Sequence, residues 1–240
     1  MSISFINSNF SFNNNTIPDF VTINTNSISA NDLLIALISY GTPNSISSMP
    51  SNWNLLSGSM IPDPAISGVY SDIYQNYQNI YYKIATSADS LSSSYTWALS
   101  VQAGYHGAVG ILSIYRGVNT TNPFSTSAIN IYHDGNNPTM SAATVNISNS
   151  NSWIILTYTG RSGSDTFNQP AGYTLRSSPG STIQCQLADS NIAVNTGIVS
   201  PGNWSATPGN FACGVLVTIS LNSILGRTFK RGFLRARLKQ

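Results

Sequence analysis

Apolar residues along this chain either alternate with polar ones or run unbroken for a few positions, and then stop at Gly, Pro, Asn or Ser. Both patterns predict β-strands: alternation for a half-buried strand, a short unbroken run for one buried on both faces. Two unbroken runs are near-copies. Residues 107–118 read Gly-Ala-Val-Gly-Ile-Leu-Ser-Ile-Tyr-Arg-Gly-Val, and residues 211–221 read Phe-Ala-Cys-Gly-Val-Leu-Val-Thr-Ile-Ser-Leu, so that Gly110 aligns with Gly214 at an offset of 104. Glycine inside such a strand marks a place where another side chain or backbone comes close.

The copying extends over most of the chain and is read first, since a repeat decides the architecture. Pro18 matches Pro138, Asn31 matches Asn151 and Pro50 matches Pro170, each at an offset of 120. Between them Leu33-Leu-Ile-Ala-Leu-Ile38 matches Trp153-Ile-Ile-Leu-Thr-Tyr158, and Pro50-Ser-Asn-Trp-Asn-Leu55 matches Pro170-Ala-Gly-Tyr-Thr-Leu175. Tyr81-Tyr-Lys-Ile-Ala85 then matches Gln184-Cys-Gln-Leu-Ala188 at an offset of 103, so the first half carries a longer insert, rich in Pro and Tyr, before Tyr81. Each half predicts an alternating strand (20–25; 140–147), a buried strand (32–40; 152–159), a turn and strand (50–57; 170–177), a further strand (78–86; 182–189), a Trp-bearing segment (Trp97; Trp204) and the closing strand.

Some ten to twelve strands exceed what one open sheet holds without splitting into packed layers. The expected fold is all-β, a β-sandwich of residues 18–221 with pseudo-repeats 18–118 and 138–221. Residues 1–17 are expected as an N-terminal loop or arm, residues 118–138 as a crossover loop, and residues 222–240 as a basic C-terminal arm.

Composition strengthens the β assignment and narrows the chemistry. Charged residues are 8% of the 240, and Glu is absent; soluble domains carry about 25%. Asn, Ser, Thr and Gly supply the polarity, as turns and strand surfaces require. The net charge of +2 hides a split. All eight Asp precede residue 190, whereas six cations, Arg227, Lys230, Arg231, Arg235, Arg237 and Lys239, crowd the last fourteen residues. Phe229, Phe233, Leu234 and Leu238 are interleaved with them, in part at helical spacing. That mixture predicts docking onto another protein subunit. Phosphate contact, an anionic membrane surface and a solvated tail are the alternatives. The N-terminus lacks the basic region of a secretory signal. The apolar stretch 211–225 is short and contains Thr218, Ser220, Asn222 and Ser223, so no membrane span is expected. Cys185 and Cys213 fall in predicted strands; small buried thiols are the commoner state, and a bridge would need adjacent strands.

Catalytic constellations are sparse. His106 and His133 have no Cys or Glu at metal-ligand spacing, and no metal or cofactor is expected. No Gly-x-Ser-x-Gly elbow and no phosphate-cradling Gly loop are present. Eight scattered Asp form no recognisable glycosidase pair. Asp32 reads as a turn residue feeding a strand, with a catalytic acid as the sharper alternative. Arg116 reads as a strand-end partner, with a binding role as its alternative. Asp134-Gly-Asn-Asn137 reads as a loop tip, against a calcium or sugar site. Tyr70, Tyr74 and Tyr77 offer either an interface or a sugar-stacking surface. Trp53, Trp97, Trp153 and Tyr173 read as core.

The order Asp32-Leu-Leu, Pro50-x-x-Trp53-x-Leu55, Tyr81-Tyr-Lys83-x-Ala85, Tyr95-Thr-Trp97 and Tyr115-Arg-Gly-Val118, with Pro123 beyond, resembles a jelly-roll-like sandwich family common among tailed-phage virion proteins and some bacterial surface proteins. The resemblance implies a non-enzymatic virion structural protein at the capsid surface. Its expected role is capsid decoration (cement): binding the major capsid protein or another virion protein, as a homo-oligomer for which a trimer is one arrangement, with no specific nucleic acid. Partner binding is expected at Arg227, Phe229, Lys230, Arg231, Phe233, Leu234, Arg235, Arg237, Leu238 and Lys239. The alternative is a tail-fibre or receptor-binding module that recognises surface carbohydrate through Tyr70, Tyr74 and Tyr77.

Overall fold

The strands pair in nested order, as though one long hairpin had been rolled up twice. The computed structural model describes residues 2–13, 19–41, 45–56, 76–100, 107–132, 139–161, 166–179, 183–207 and 213–224. The first half holds β1 (Ser4–Asn13), β2 (Phe20–Asn24), β3 (Leu33–Gly41), β4 (Ser45–Ser48), β5 (Asn54–Leu55), β6 (Asn76–Ile84), β7 (Ser94–Ser100) and β8 (Ala108–Arg116). First pairs with last, second with second-last and third with third-last: β1 with β8, β2 with β7, β3 with β6, all antiparallel. The second half holds β9 (Phe124–Tyr132), β10 (Thr139–Ser141), β11 (Val145–Ile147), β12 (Trp153–Arg161), β13 (Thr166–Asn168), β14 (Thr174–Ser177), β15 (Ile183–Asp189), β16 (Gly197–Val199), β17 (Asn203–Thr207) and β18 (Cys213–Leu221). It nests in the same way: β9 with β18, β10 with β17, β11 with β16, β12 with β15.

The five- and three-stranded sheets correspond strand for strand, and the second half adds the pair β11-β16. A five-stranded sheet β1-β8-β3-β6-β5 in the first half matches β9-β18-β12-β15-β14 in the second, and the three-stranded sheet β2-β7-β4 matches β10-β17-β13. Backbone details repeat as well. Asn31 and Asn151 both take positive φ (72° and 61°), as do Asn52 (63°) and Gly172 (87°), each pair at the spacing set by the proline landmarks.

Four layers result, where two packed layers were expected. The two five-stranded sheets face each other across a central core that includes Leu33, Ile35, Leu37, Ile111 and Tyr115 from one half and Trp153, Ile155, Leu187, Val217 and Ile219 from the other. The opposite face of each is covered by its own three-stranded sheet. Val21, Ile23, Trp97 and Leu99 pack on Leu34, Ala36 and Ile38 in the first half; Met140, Phe167 and Trp204 pack on Ile154, Leu156 and Tyr158 in the second. This explains the unbroken apolar runs: β3 and β8 are sandwiched between two cores, and every residue of β3 is buried. Across the central core β1 lies over β14 and β8 over β15, while β6 lies over β12 and β18. β3 also lies over β15, so exchanging the halves interchanges the β8–β15 contact with β18–β6 and the β3–β15 contact with β12–β6, as in the isologous interface of a two-fold dimer.

Two boundaries differ from expectation. The segment expected as an N-terminal arm forms β1, and the stretch expected as a crossover loop forms β9. They are equivalent edge strands. Phe5 opposes Tyr115 and Phe124 opposes Leu221, and both ladders shift register at that point. Short Asn/Ser-rich alternation hid both strands, because the same residues also spell turns.

Cys185 is a free, buried thiol. Its strand β15 and Cys213's strand β18 lie on opposite sides of β12. Two strand spacings of roughly 4.8 Å exceed the Cα separation a disulfide spans. Burial pushes the Cys185 thiol up to about 12, the hydrogen bond with Thr159 offsetting part of the rise.

Candidate functional site

Three buried Asp residues organise the ionisable chemistry of the described chain, and each is held by a cation from a neighbouring element. Asp32 ends the turn before β3 and is 1% exposed. Its Oδ1 and Oδ2 accept from Arg116 Nε (2.8 Å) and Nη2 (2.9 Å), and Oδ2 also accepts from the Ser29 amide. Arg116 is the last residue of β8, beside β3, so the pair pins two strand ends together. Both carboxylate oxygens are committed, and the structure places Asp32 and Arg116 in a strand-end clamp.

Asp89 sits in a 3-10 turn, Ser87–Leu91, that connects β6 to β7. Lys83 of β6 donates to Oδ1 at 2.6 Å, the Tyr95 hydroxyl donates to the same oxygen, and the Thr86 amide and hydroxyl donate to Oδ2. Lys83 Nζ also lies 5.6 Å from the centre of the Tyr95 ring. Burial by itself raises the Asp89 carboxyl; the donations from Lys83, Tyr95 and Thr86 outweigh it and hold the group at about 2. The folded value lies below the ordinary 3.8, so the stabilisation is present above about pH 4 and is lost as pH falls towards 2. Urea unfolding at pH 5.5 and pH 2.5 checks this. Asp89→Asn is expected to cost about 2 kcal/mol at the higher pH and less than about half of that at the lower, where the native carboxylate begins to take up its proton.

Asp189 closes β15 and is fully buried. Arg176 of β14 donates to it from Nε (2.8 Å) and Nη2 (2.9 Å), the Asn191 amide donates at 2.9 Å, and Tyr115 of the first half donates at 3.1 Å. Arg176 lies 4.2 Å over the Phe5 ring. Burial first, and then the Asp189 charge, push the Tyr115 hydroxyl well above its ordinary value. A second polar link crosses the central core at Gln78, whose amide nitrogen donates to Thr159 (2.8 Å) and whose carbonyl accepts from Thr157 (3.2 Å). These bonds fix the register of one half against the other inside an otherwise apolar interface.

Tyr77, on β6, is half-buried and stacks on Tyr40 at 5.5 Å with an interplanar angle of 19°. Asn79 donates to the hydroxyls of Tyr40 and Tyr81, and burial pushes Tyr40 up to about 12. The ring is thus partly engaged within the protein. Trp53, Trp97 and Trp153 are buried and Tyr173 packs against the core of the second half.

The remaining expected site residues lie outside the described residues: Tyr70 and Tyr74 of the insert, His106, His133 and the loop Asp134-Gly-Asn-Asn137, and the whole set Arg227, Phe229, Lys230, Arg231, Phe233, Leu234, Arg235, Arg237, Leu238 and Lys239. The structure fixes where the last set departs. Ile224 follows β18, donates its amide to the Gly117 carbonyl and is 42% exposed, at the seam where the chain passes from one half to the other. No helix in the described residues is long and apolar enough to cross a membrane.

A further surface feature lies on the first strand, where the aromatics of residues 1–17 suggest docking. Phe10 and Phe12, on β1, are 54% and 53% exposed. The signal was present as Phe5, Ile6, Phe10 and Phe12 scattered through a polar stretch, and strand alternation puts Phe10 and Phe12 on one face.

Comparison of the chain with protein-family models, with curated proteins and with solved structures yields no match.

Proposed function

We propose that this chain is a structural protein that works by binding, and that its role is decoration of a virion shell through the basic C-terminal extension. The observation that carries the reading is the contrast between body and tail. In the body, the described Asp32, Asp89 and Asp189 are each spent on an internal clamp. Six cations and five large apolar side chains follow Ile224, an exposed residue at the end of the described body. A rigid, charge-poor body is desolvated at low cost where it meets a flat partner, because few charges lose water. A tail mixing cations with Phe and Leu suits a complementary acidic and apolar groove on a neighbouring subunit. The nested strand order, first with last and second with second-last in each half, supports the jelly-roll reading. Tyr77's stacking on Tyr40 favours decoration over carbohydrate binding through the Tyr-rich insert, since that ring is already partly engaged.

Deleting residues 227–240 tests the proposal. The truncated body is expected to melt within about 2 °C of the full chain, because the three hydrophobic cores are assembled from residues before 227. Its binding to purified shells is expected to fall at least about tenfold, with the full chain's binding weakening as salt is raised. Shell binding that survives the deletion overturns the assignment of the tail. Loss of carbohydrate binding on Tyr77→Ala, with shell binding absent in the full chain, would favour the receptor-binding alternative.

A further inference from the structure

The edge of the first five-stranded sheet offers the clearest unmet surface. β1 pairs with β8 on one side, and no strand among the described residues is bonded into a ladder on its other side; β2 lies nearby, with Asn7 and Asn9 donating to Asn26 and Asn13 donating to the Phe20 carbonyl. Natural edge strands are protected by charges, prolines, shortness or bulges. β1 is ten residues long, Ser-Phe-Ile-Asn-Ser-Asn-Phe-Ser-Phe-Asn, with neither a charge nor a proline. Its one irregularity lies between Phe5 and Asn7, so residues 8–12 follow in regular register.

That regular segment carries Phe10 and Phe12. Phe10 opposes Ile111 and Phe12 opposes Val109, and both partners belong to the central core. Directly opposed residues share a face, so the two rings continue the apolar interface between the halves past the point where the second half covers it. Cover ends at β14, whose Arg176 lies on Phe5 at the start of the strand. The equivalent strand β9 differs. Ile129, which opposes Val217 as Phe10 opposes Ile111, is smaller and packs against the central core. Among the described side chains of the two strands, the large exposed aromatics thus lie on β1 and not on β9.

We propose that β1 is a homodimerisation edge, pairing antiparallel with β1 of a second copy about a two-fold axis at Phe10. The segment is self-complementary in that register. Its midpoint is Phe10, which meets its own counterpart; Ser8 opposes Phe12 and Asn9 opposes Ser11, with the aromatic rings all on one face. No like charges meet, because the strand has none, and the two sheets fuse into one of ten strands that buries both phenylalanine pairs. This surface is distinct from the C-terminal extension and does not rest on what the extension binds.

The test uses the full-length chain in sedimentation velocity from about 2 to about 200 μM, a span that reports dissociation constants in the micromolar range. A concentration-dependent dimer is expected. Phe10→Asp sets two carboxylates on the axis and is expected to raise the dissociation constant at least about tenfold, since like charges juxtaposed in an interface are strongly unfavourable. Leu91→Asp, at an exposed Leu of the turn between β6 and β7, is expected to leave dimerisation unchanged. Phe10→Cys is expected to give a disulfide-linked dimer on oxidation, and Phe12→Cys is not, because position 12 faces position 8. A chain that is monomeric throughout, a dimer or larger oligomer indifferent to Phe10→Asp, or equal cross-linking by both cysteine variants overturns the proposal. Phe10 is exposed, so a loss of fold is not expected; matching circular dichroism of the variants checks it.

Discussion

Replacing Asp189 with Ala is expected to destabilise the protein by about 3–5 kcal/mol, because it strands a buried cation. The carboxylate is fully buried and accepts four hydrogen bonds, two from Arg176 and one each from Asn191 and Tyr115. Without it the Arg176 guanidinium, whose side chain is 14% exposed, keeps only Asn191 and the Phe5 face. The Tyr115 hydroxyl, in the dry centre of the molecule, is left with no acceptor. Two comparisons separate the causes. Tyr115→Phe removes only the bond between the halves and is expected to cost about 1 kcal/mol. Replacing the pair together, Asp189→Leu with Arg176→Met, removes both charges and is expected to cost less than Asp189→Ala alone. Urea unfolding midpoints with unchanged slope measure all three. A double replacement as damaging as the single one would mean that shape, and not the stranded charge, sets the loss.

The buried Asp clamps illustrate what a sequence pattern carries and what it omits. Asp32 was legible as a turn residue before a strand, and Arg116 as a strand-end partner, because both roles are local. Their meeting was not, since β3 and β8 become neighbours only through the rolled-up pairing of strands far apart in sequence. Asp89 and Asp189 gave no signal of this kind, and neither did the link from Tyr115 to Asp189 across the two halves.

The duplicated sheets were legible in a more instructive way. Alternation reports which face a side chain takes, and a slip of two residues changes no face. Leu33 to Tyr158 aligned correctly across the repeat. The match of Gly110 to Gly214 is two residues out of step: Tyr40 pairs with Ala108 and Gly160 with Gly214, so the counterpart of Gly214 is Ala108. The match of Ala85 to Ala188 is four residues out of step, since Leu55 opposes Tyr81 where Leu175 opposes Ala188. Both errors are even, as they must be when hydrophobic period alone guides the alignment. Four layers instead of two were readable only in hindsight, from apolar runs too continuous for strands with one wet face.

The two glycines, although not equivalent, each sit where a side chain crowds the strand, and they are expected to differ sharply in tolerance. A Cβ at Gly214 would lie 2.5 Å from Tyr158 Cε2 and 2.9 Å from the Thr159 carbonyl oxygen. The Tyr158 ring cannot retreat: it is fully buried, 4.4 Å from the Phe167 ring centre and 5.9 Å from that of Trp204. The Thr159 oxygen belongs to β12, bonded into ladders on both sides. At Gly110 the crowding atoms are Val21 Cγ1 (2.7 Å), Ile23 Cδ1 (2.8 Å) and Ile38 Cδ1 (3.1 Å), the ends of aliphatic side chains that can turn aside. Gly214→Ala is therefore expected to cost about 3 kcal/mol and Gly110→Ala about 1 kcal/mol, the upper and lower reaches of overpacking in a dense core. Tyr158→Leu frees the space over Gly214, so Gly214→Ala should cost distinctly less when added to Tyr158→Leu than when made alone, a coupling that neighbouring sites show and distant ones do not. Equal costs at the two glycines, or no coupling to Tyr158, would show that the second half relaxes around β18 and is not clamped by its aromatic stack.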